Sequence, residues 1–355
     1  MKVGFVFTSA TQEMLCESPE LALNLTDASE TIEAVKCALE ACGHTVTALN
    51  TDDRLPAILC EASFDIIFNI ATGFYGDNRQ ANLPAMLEYL RIPHTGSSVL
   101  AEAVTQDKPT MKTILQAHSL PTPPFQVFHN SRERLTRKLR FPLIVKLPAE
   151  GGSLGLTPDS VVHNETELRA QVALLLEKYG QGALVEEYIE GREFTVSVLG
   201  NNPPYVLPIV ERLYFGNIRI QLDEPEPAAL DLYEQLTGQE YAYTLVDTRS
   251  IAPAKLTDKE VELVEKVTVG AYQVLSCRDW ARIDLRMDAQ GNVYILDVNL
   301  EPAIAPEYAL AKAARAAGWT FTTLVNRILE HAVERYPHLR EKQLCSETMA
   351  FMAAR

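Results

Sequence analysis

Two short stretches near the C-terminal end, "WARIDLRMD" and "VYILDVN", put polar groups where strands are otherwise apolar. Arg282 and Asp284 are two apart, as are Asp297 and Asn299, so each pair shares one face of its strand. The connecting "AQGN" has glycine where a tight turn needs it and predicts a hairpin. Antiparallel pairing then brings all four side chains together. Two carboxylates and an amide oxygen are hard ligands that suit Mg2+ already bound to phosphate. A solvated hairpin face with an Arg–Asp pair would use the same residue types, but the flanking apolar residues argue for burial.

Two further constellations have weaker spacing. In "VKLPAEGGSLGL", Lys146 ends an apolar run and Gly151, Gly152, Ser153 and Gly155 follow. Such a loop can close backbone N–H groups over phosphates with the lysine as a point charge. It lacks the Gly-Lys-Ser/Thr of a P-loop, and a plain flexible turn would read the same. Lys108 in "QDKPTMK" offers a second phosphate contact or a solvated helical charge. In "LVEEYIEGREF", Glu186 and Glu193 flank Ile189. One carboxylate can take an adenine amine and another the ribose hydroxyls, with Ile189 presenting backbone to the base; a charged strand end is the alternative.

The elements that must position these groups follow from periodicity. Strands at Lys2–Thr8, "HTVTALN" and "FDIIFNIATG" alternate with helices at "DASETIEAVKCALEACG" and "NRQANLPAMLEYLRI", which predicts a small doubly wound parallel sheet over residues 1–100. A helical pattern continues from Ala101 to Ser119. The strand "FPLIVKL", the glycine loop and the helix "ETELRAQVALLLEKYG" complete a central unit, 101–185. "ALVEEYI" is expected to run as one strand into "EGREFTVSVLG". Residues 186–335 form a C-terminal unit with the helix "TDKEVELVEKVTVGAYQVLSC", the hairpin and a last helix pair between Ala309 and Arg335. Residues 336–355 read as a loose tail. "RLYFGNIRIQLDEPEPAALDLYEQLTGQEYAY" is expected to be a lid, or else an ordinary surface insertion.

The 355 residues carry 47% hydrophobic and 22% charged residues and a net charge of −15. That balance suits a globular α/β protein and disfavours nucleic acid or an anionic membrane as partner. Six cysteines stand without CxxC spacing, which fits reduced thiols and a cytoplasmic location. No apolar run approaches the ~18 residues of a membrane span. The first turn, "TSATQEM", lacks GxGxxG, so a dinucleotide-binding dehydrogenase has little support.

Taken in order, "FNIATGFYGDNRQANLPAMLEYLRIPHTGSS", "DKPTMK", "FPLIVKLPAEGGSLGL", "LVEEYIEGREFTVSVLG", "IAPAKL", "WARIDLRMD" and "YILDVNLEP" resemble the ATP-grasp ligases, in the D-alanine–D-alanine ligase-like branch. The resemblance covers nearly the whole chain. It implies ATP held between two α+β lobes, with Lys108 and Lys146 on phosphates beside Gly151 and Gly152, and with Glu186, Ile189 and Glu193 around adenosine. Asp284, Asp297 and Asn299 would hold two Mg2+ (or Mn2+) ions, and Arg282, Lys146 and Ser153 would serve catalysis. The partners implied are an amino acid and an acidic or vinylogous-acid co-substrate, and a homodimer is the common assembly of the family.

The departures fall on the amino-acid pockets. Asp297 stands where the family has Glu. Gly152 replaces the first of two loop serines. Glu301-Pro302-Ala303 replaces Ser-Pro-Gly, and Tyr308 stands at a later serine. The acid that grips the first amino acid's ammonium has no clear counterpart; Glu13 and Glu17 are the nearest acids. The phosphate-contacting lysine before "IAPA" is missing, with Arg212 or Arg219 in reach. This pattern predicts an active ligase with altered substrates. The specific expectation is joining of an amino acid to mycosporine-glycine as an imine. The alternatives are a D-alanine–D-alanine ligase, another dipeptide or antibiotic-pathway ligase, and a non-catalytic nucleotide-binding protein.

Overall fold

The computed structural model describes residues 1–340 apart from 77, 216–219, 221–226 and 240–247. The expected lid lies partly outside the described residues, as do Arg219, Cys345 and most of the expected tail. The tail's first residues are not loose: Leu339 is buried with the C-terminal helices, and the Tyr336 hydroxyl meets the His94 carbonyl oxygen.

The chain begins with β1 (Lys2–Phe7), α1 (Gln12–Glu17), α2 (Pro19–Leu25), α3 (Ser29–Ala41), β2 (Thr45–Asn50), α4 (Leu55–Glu61), β3 (Ile66–Asn69) and α5 (Arg79–Leu90). The three strands form a parallel sheet in the order β2-β1-β3. Alternation along β1 sends Val3 and Phe5 to one core, shared with Val35 and Leu39 of α3, and Val6 to the other, shared with Leu59 of α4 and Leu83 of α5. Both faces are covered, as a parallel sheet requires. The segment between β1 and α3 holds α1 and α2, for which the periodicity gave no helix. They have six and seven residues, too few for a 3.6-residue period to register in sequence. Thr11 caps α1, and Pro19 opens α2 at a position where its missing N–H costs nothing.

Next come α6 (Val99–Gln106) and α7 (Lys108–Ala117), a single helix by pattern but broken at Asp107. The Asp107 side chain caps α7 by accepting from Thr110 N at 2.8 Å. Lys108 becomes the first residue of α7, with its own N–H bonded to Pro148 O at 2.9 Å. β4 (Phe125–Phe128), β5 (Leu143–Lys146), β6 (Val161–Val162), α8 (Glu165–Tyr179) and β7 (Ala183–Glu187) follow, and their strands form an antiparallel sheet in the order β4-β7-β5-β6.

The expected continuous strand through "ALVEEYIEGREFTVSVLG" is two strands in two sheets. After β7 the chain crosses at 188–191 and enters β8 (Arg192–Leu199). Gly191 makes the crossing feasible: its φ is +153°, and a Cβ there would strike the Met287 carbonyl oxygen. β9 (Tyr205–Val206), β10 (Val210–Tyr214), α9 (Pro227–Thr237), β11 (Thr248–Ile251), α10 (Asp258–Val274), β12 (Trp280–Met287) and β13 (Val293–Asn299) build the second sheet, in the order β11-β10-β8-β12-β13 with β9 on β8. α10, capped by Thr257 and Glu260, buries Val264 and Ala271 against it. α11 (Ala309–Ala316) and α12 (Phe321–Glu334) return to the N-terminal sheet.

Candidate active site

The hairpin of β12 and β13 forms as its alternation predicts. Arg282 lies opposite Asn299, and Asp284 opposite Asp297. A β-bulge between Asp284 and Leu285 skips Leu296. Before the bulge Val293 and Ile295 face the core; after it Val298 and Leu300 do. The phase shift lets Leu296, Asp297 and Asn299 all line one cleft. No sequence signal marks the bulge.

This cleft encloses about 950 Å³, its open mouth included, and lies between the two antiparallel sheets. Lys146 and the glycine loop enter from the first of these sheets, Arg282, Asp284, Asp297 and Asn299 from the second, and Lys108 sits where the two sides meet, in contact with both Asp297 and Glu150 O. Glu186, Ile189 and Glu193 line the end nearest the crossing. The residues expected to serve phosphate, metal and adenosine therefore share one space.

Charges in the cleft are paired. Asp284 accepts from Thr195 Oγ1 at 2.9 Å through Oδ1, and from Arg282 Nη2 at 2.9 Å and Asn299 Nδ2 at 3.3 Å through Oδ2. Lys108 Nζ lies 3.1 Å from Asp297 Oδ2 and donates to Glu150 O at 2.8 Å. Burial pushes the Asp297 carboxyl up, but Lys108 and Lys146 outweigh it and hold the group below the usual range. Two carboxylates and an amide are too few to enclose an ion, and no cluster of three or more His, Cys, Asp or Glu ligands occurs among the described residues. Mg2+ suits such a site, because phosphate oxygens and water fill its remaining positions.

Glu186, expected to face adenosine, is engaged by two lysines. It is 1% exposed and bridges Lys146 Nζ at 2.9 Å and Lys112 Nζ at 3.2 Å. Burial alone would raise its pKa, yet the two ammonium groups bring it below the ordinary value. Lys112 is fully buried, and burial lowers its pKa to about 8 despite Glu186. Lys112 was not singled out from sequence, though it stands four residues after Lys108 on the same helical face. Glu150, also missed, fixes the root of the glycine loop by pairing with Arg79 and accepting from Gln181 Nε2 at 2.6 Å.

Gly152 has φ +57° and Ser153 φ +61°, and both line the cleft with Gly151. The Asn24 amide of α2 donates to Gly152 O, and a Cβ on Gly152 would collide with Asn24. An asparagine from the N-terminal unit thus reaches the glycine loop at Gly152. Other expected substrate residues lie apart. Glu13 and Glu17 are exposed on α1. Glu301 is buried and accepts from Asn69 Nδ2 at 3.0 Å, while Ala303 and Tyr308 are exposed; none of the five lines the cleft. Arg212 Nε lies 3.7 Å from Glu193 Oε1, beyond hydrogen-bond range.

Two antiparallel sheets closing on a cleft lined by paired lysines and carboxylates define an ATP-grasp enzyme. The family model for the D-ala D-ala ligase C-terminus matches residues 114–330. A D-alanine–D-alanine ligase of Pelotomaculum thermopropionicum is 32% identical over 315 residues, covering 86% of this chain and 92% of the relative. A protein of Sinorhizobium fredii named uncharacterized protein y4sG is 36% identical over 313 residues, covering 86% and 88%. The crystal structure of D-alanine–D-alanine ligase from Bacillus anthracis superposes with a TM-score of 0.72 at 22% identity, covering 96% of this chain and 99% of that one. The chain belongs to the D-alanine–D-alanine ligase family and is an ADP-forming carbon–nitrogen ligase that uses ATP.

Proposed function

We propose that this enzyme uses ATP to phosphorylate a carboxylate of one amino acid and joins the acyl group to the amine of another. The observation that carries this reading is the gathering of Lys108, Lys146, Arg282, Asp284, Asp297 and Asn299 around one cleft. A carboxylate oxygen attacks the γ-phosphorus, ADP leaves, the amine attacks the acyl carbon, and inorganic phosphate departs. Lys108 and Lys146 hold phosphate oxygens, with the Gly151–Gly152 backbone and Ser153 over them. Asp284, Asp297 and Asn299 would hold two Mg2+ ions, which when bound would offset the charge of the phosphate oxygens. Arg282, aligned by Asp284, stabilises the oxyanion of the tetrahedral intermediate. Glu186, Ile189 and Glu193 take the adenosine.

A second reading rests on Gly152 and on the exposure of Glu13 and Glu17. A pocket without a matching ammonium-binding acid suits a less charged first substrate, such as the vinylogous acid mycosporine-glycine. Its carbonyl oxygen would take the phosphoryl group, and the product would be an imine. The deciding experiment incubates the protein with ATP, Mg2+ and a panel of D- and L-amino acids, with and without mycosporine-glycine, and weighs the products. D-alanyl-D-alanine or another dipeptide supports the first reading, and an imine the second. ADP release that responds to no amine would contradict both.

A further inference from the structure

Of the two carboxylates proposed around adenosine, Glu186 is taken up by Lys112 and Lys146, and Glu193, the one left for the ribose, is itself held by two neighbours. Glu193 Oε2 accepts from Arg286 Nε at 2.9 Å and from Arg286 Nη2 at 2.7 Å. Glu193 Oε1 accepts from the Tyr214 hydroxyl at 2.7 Å. The same guanidinium donates through Nη1 to Ile189 O at 3.0 Å and lies 4.7 Å from the centre of the Tyr188 ring. Arg286 is 4% exposed, Glu193 is 7% exposed, and both line the cleft. Tyr214 ends β10.

A carboxylate oxygen has two lone-pair directions. Arg286 fills both on Oε2, and Tyr214 fills one on Oε1. One acceptor direction remains, so this carboxylate can take one ribose hydroxyl rather than two. The Arg286 contacts also remove the rotational freedom that a free glutamate would lose on binding, and they tie the ribose contact to the backbone that faces the base.

We propose that Arg286, assisted by Tyr214, is a positioning residue for nucleotide selection: it presets Glu193 to read a single ribose hydroxyl and locks that reading to the crossing at Ile189. The proposal rests on the cleft being the ATP site. Its test is calorimetric binding of MgATP, 2′-deoxy-ATP and 3′-deoxy-ATP to the full chain. In the wild type one analogue binds about 10-fold or more weaker than ATP, the loss expected for a hydrogen bond to a charged group, and the other binds nearly as ATP does. In Arg286→Met, ATP weakens about 10-fold or more and the deoxy penalty falls to within about 3-fold. Tyr214→Phe removes one hydroxyl, leaves the packing in place and frees a second acceptor direction on Oε1, so the analogue that bound nearly as ATP does in the wild type should now bind more weakly than ATP as well. Variants that weaken all three nucleotides equally, with the deoxy penalty intact, would show a merely structural role and overturn the proposal. A wild type that binds no MgATP would overturn the ATP-site reading and this proposal with it.

Discussion

At the scale of single residues, the cleft works by opposing charges that each need the other. Asp297→Ala removes a carboxylate that Lys108 now pairs and that the metal would use. ADP formation should fall by about 10²-fold or more, and near-normal turnover would remove the metal assignment. Arg282→Ala should spare ATP binding and lower turnover by roughly 10²-fold, read as a fall in kcat with little change in the ATP KM. Glu186 is a different case, since it sits between two buried lysines. Its removal would leave Lys112 and Lys146 without the carboxylate that bridges them, at a cost of about 3–5 kcal/mol, so loss of activity in that variant says little about adenine. Gly152 and Asn24 form a matched pair. Gly152→Ser should lower kcat/KM by roughly 10-fold through the clash, and Asn24→Ala in that background should restore much of it; no recovery would contradict the pairing.

At the scale of elements, the sequence was most legible where one period and one turn suffice. Arg282, Asp284, Asp297 and Asn299 fall together because strands alternate and Gly291, at φ +82°, closes the hairpin. Arg286 was available by the same rule, two residues beyond Asp284 on the same strand. The bulge at Leu296 was not, because it depends on how β13 meets β12 rather than on residue type. Nor was the split of the 183–199 segment into two sheets, since each half alone reads as a good strand. α9 illustrates the same limit. It packs Leu230, Leu232 and Leu236 against α1 and α2 beside Met14, Leu15 and Leu23, a contact with two helices too far from α9 in sequence for any local pattern to signal it. If this contact holds the lid over substrate, Leu232→Asp should raise the ADP-to-ligated-product ratio by about 10-fold as water reaches the activated intermediate; an unchanged ratio would make α9 an ordinary insertion.

At the scale of the whole molecule, the N-terminal sheet meets the ligase lobes through buried carboxyl groups. Glu102, at the start of α6, is fully buried, and burial raises its pKa from 4.5 to about 8. The Glu102 charge also acts on buried Glu301, as do Asp279 and Asp27. A carboxyl whose folded pKa is raised binds its proton more tightly in the native state. Its contribution to stability is complete below about 4.5 and is lost as pH climbs toward about 8. Thermal unfolding at about pH 5.5 and about pH 8 should show that loss, and Glu102→Gln should reduce it by roughly half; an identical profile would place the titration elsewhere. The acidic surface, with its net charge of −15, leaves the triphosphate to local cations, which the cleft supplies. The most direct measurement is therefore ADP formation at increasing Mg2+, with a productive amine present or omitted, in the wild type and in Asp297→Ala. ADP should require both metal and amine in the wild type and nearly vanish in the variant. ADP formed at equal rates by the two proteins would contradict the metal assignment.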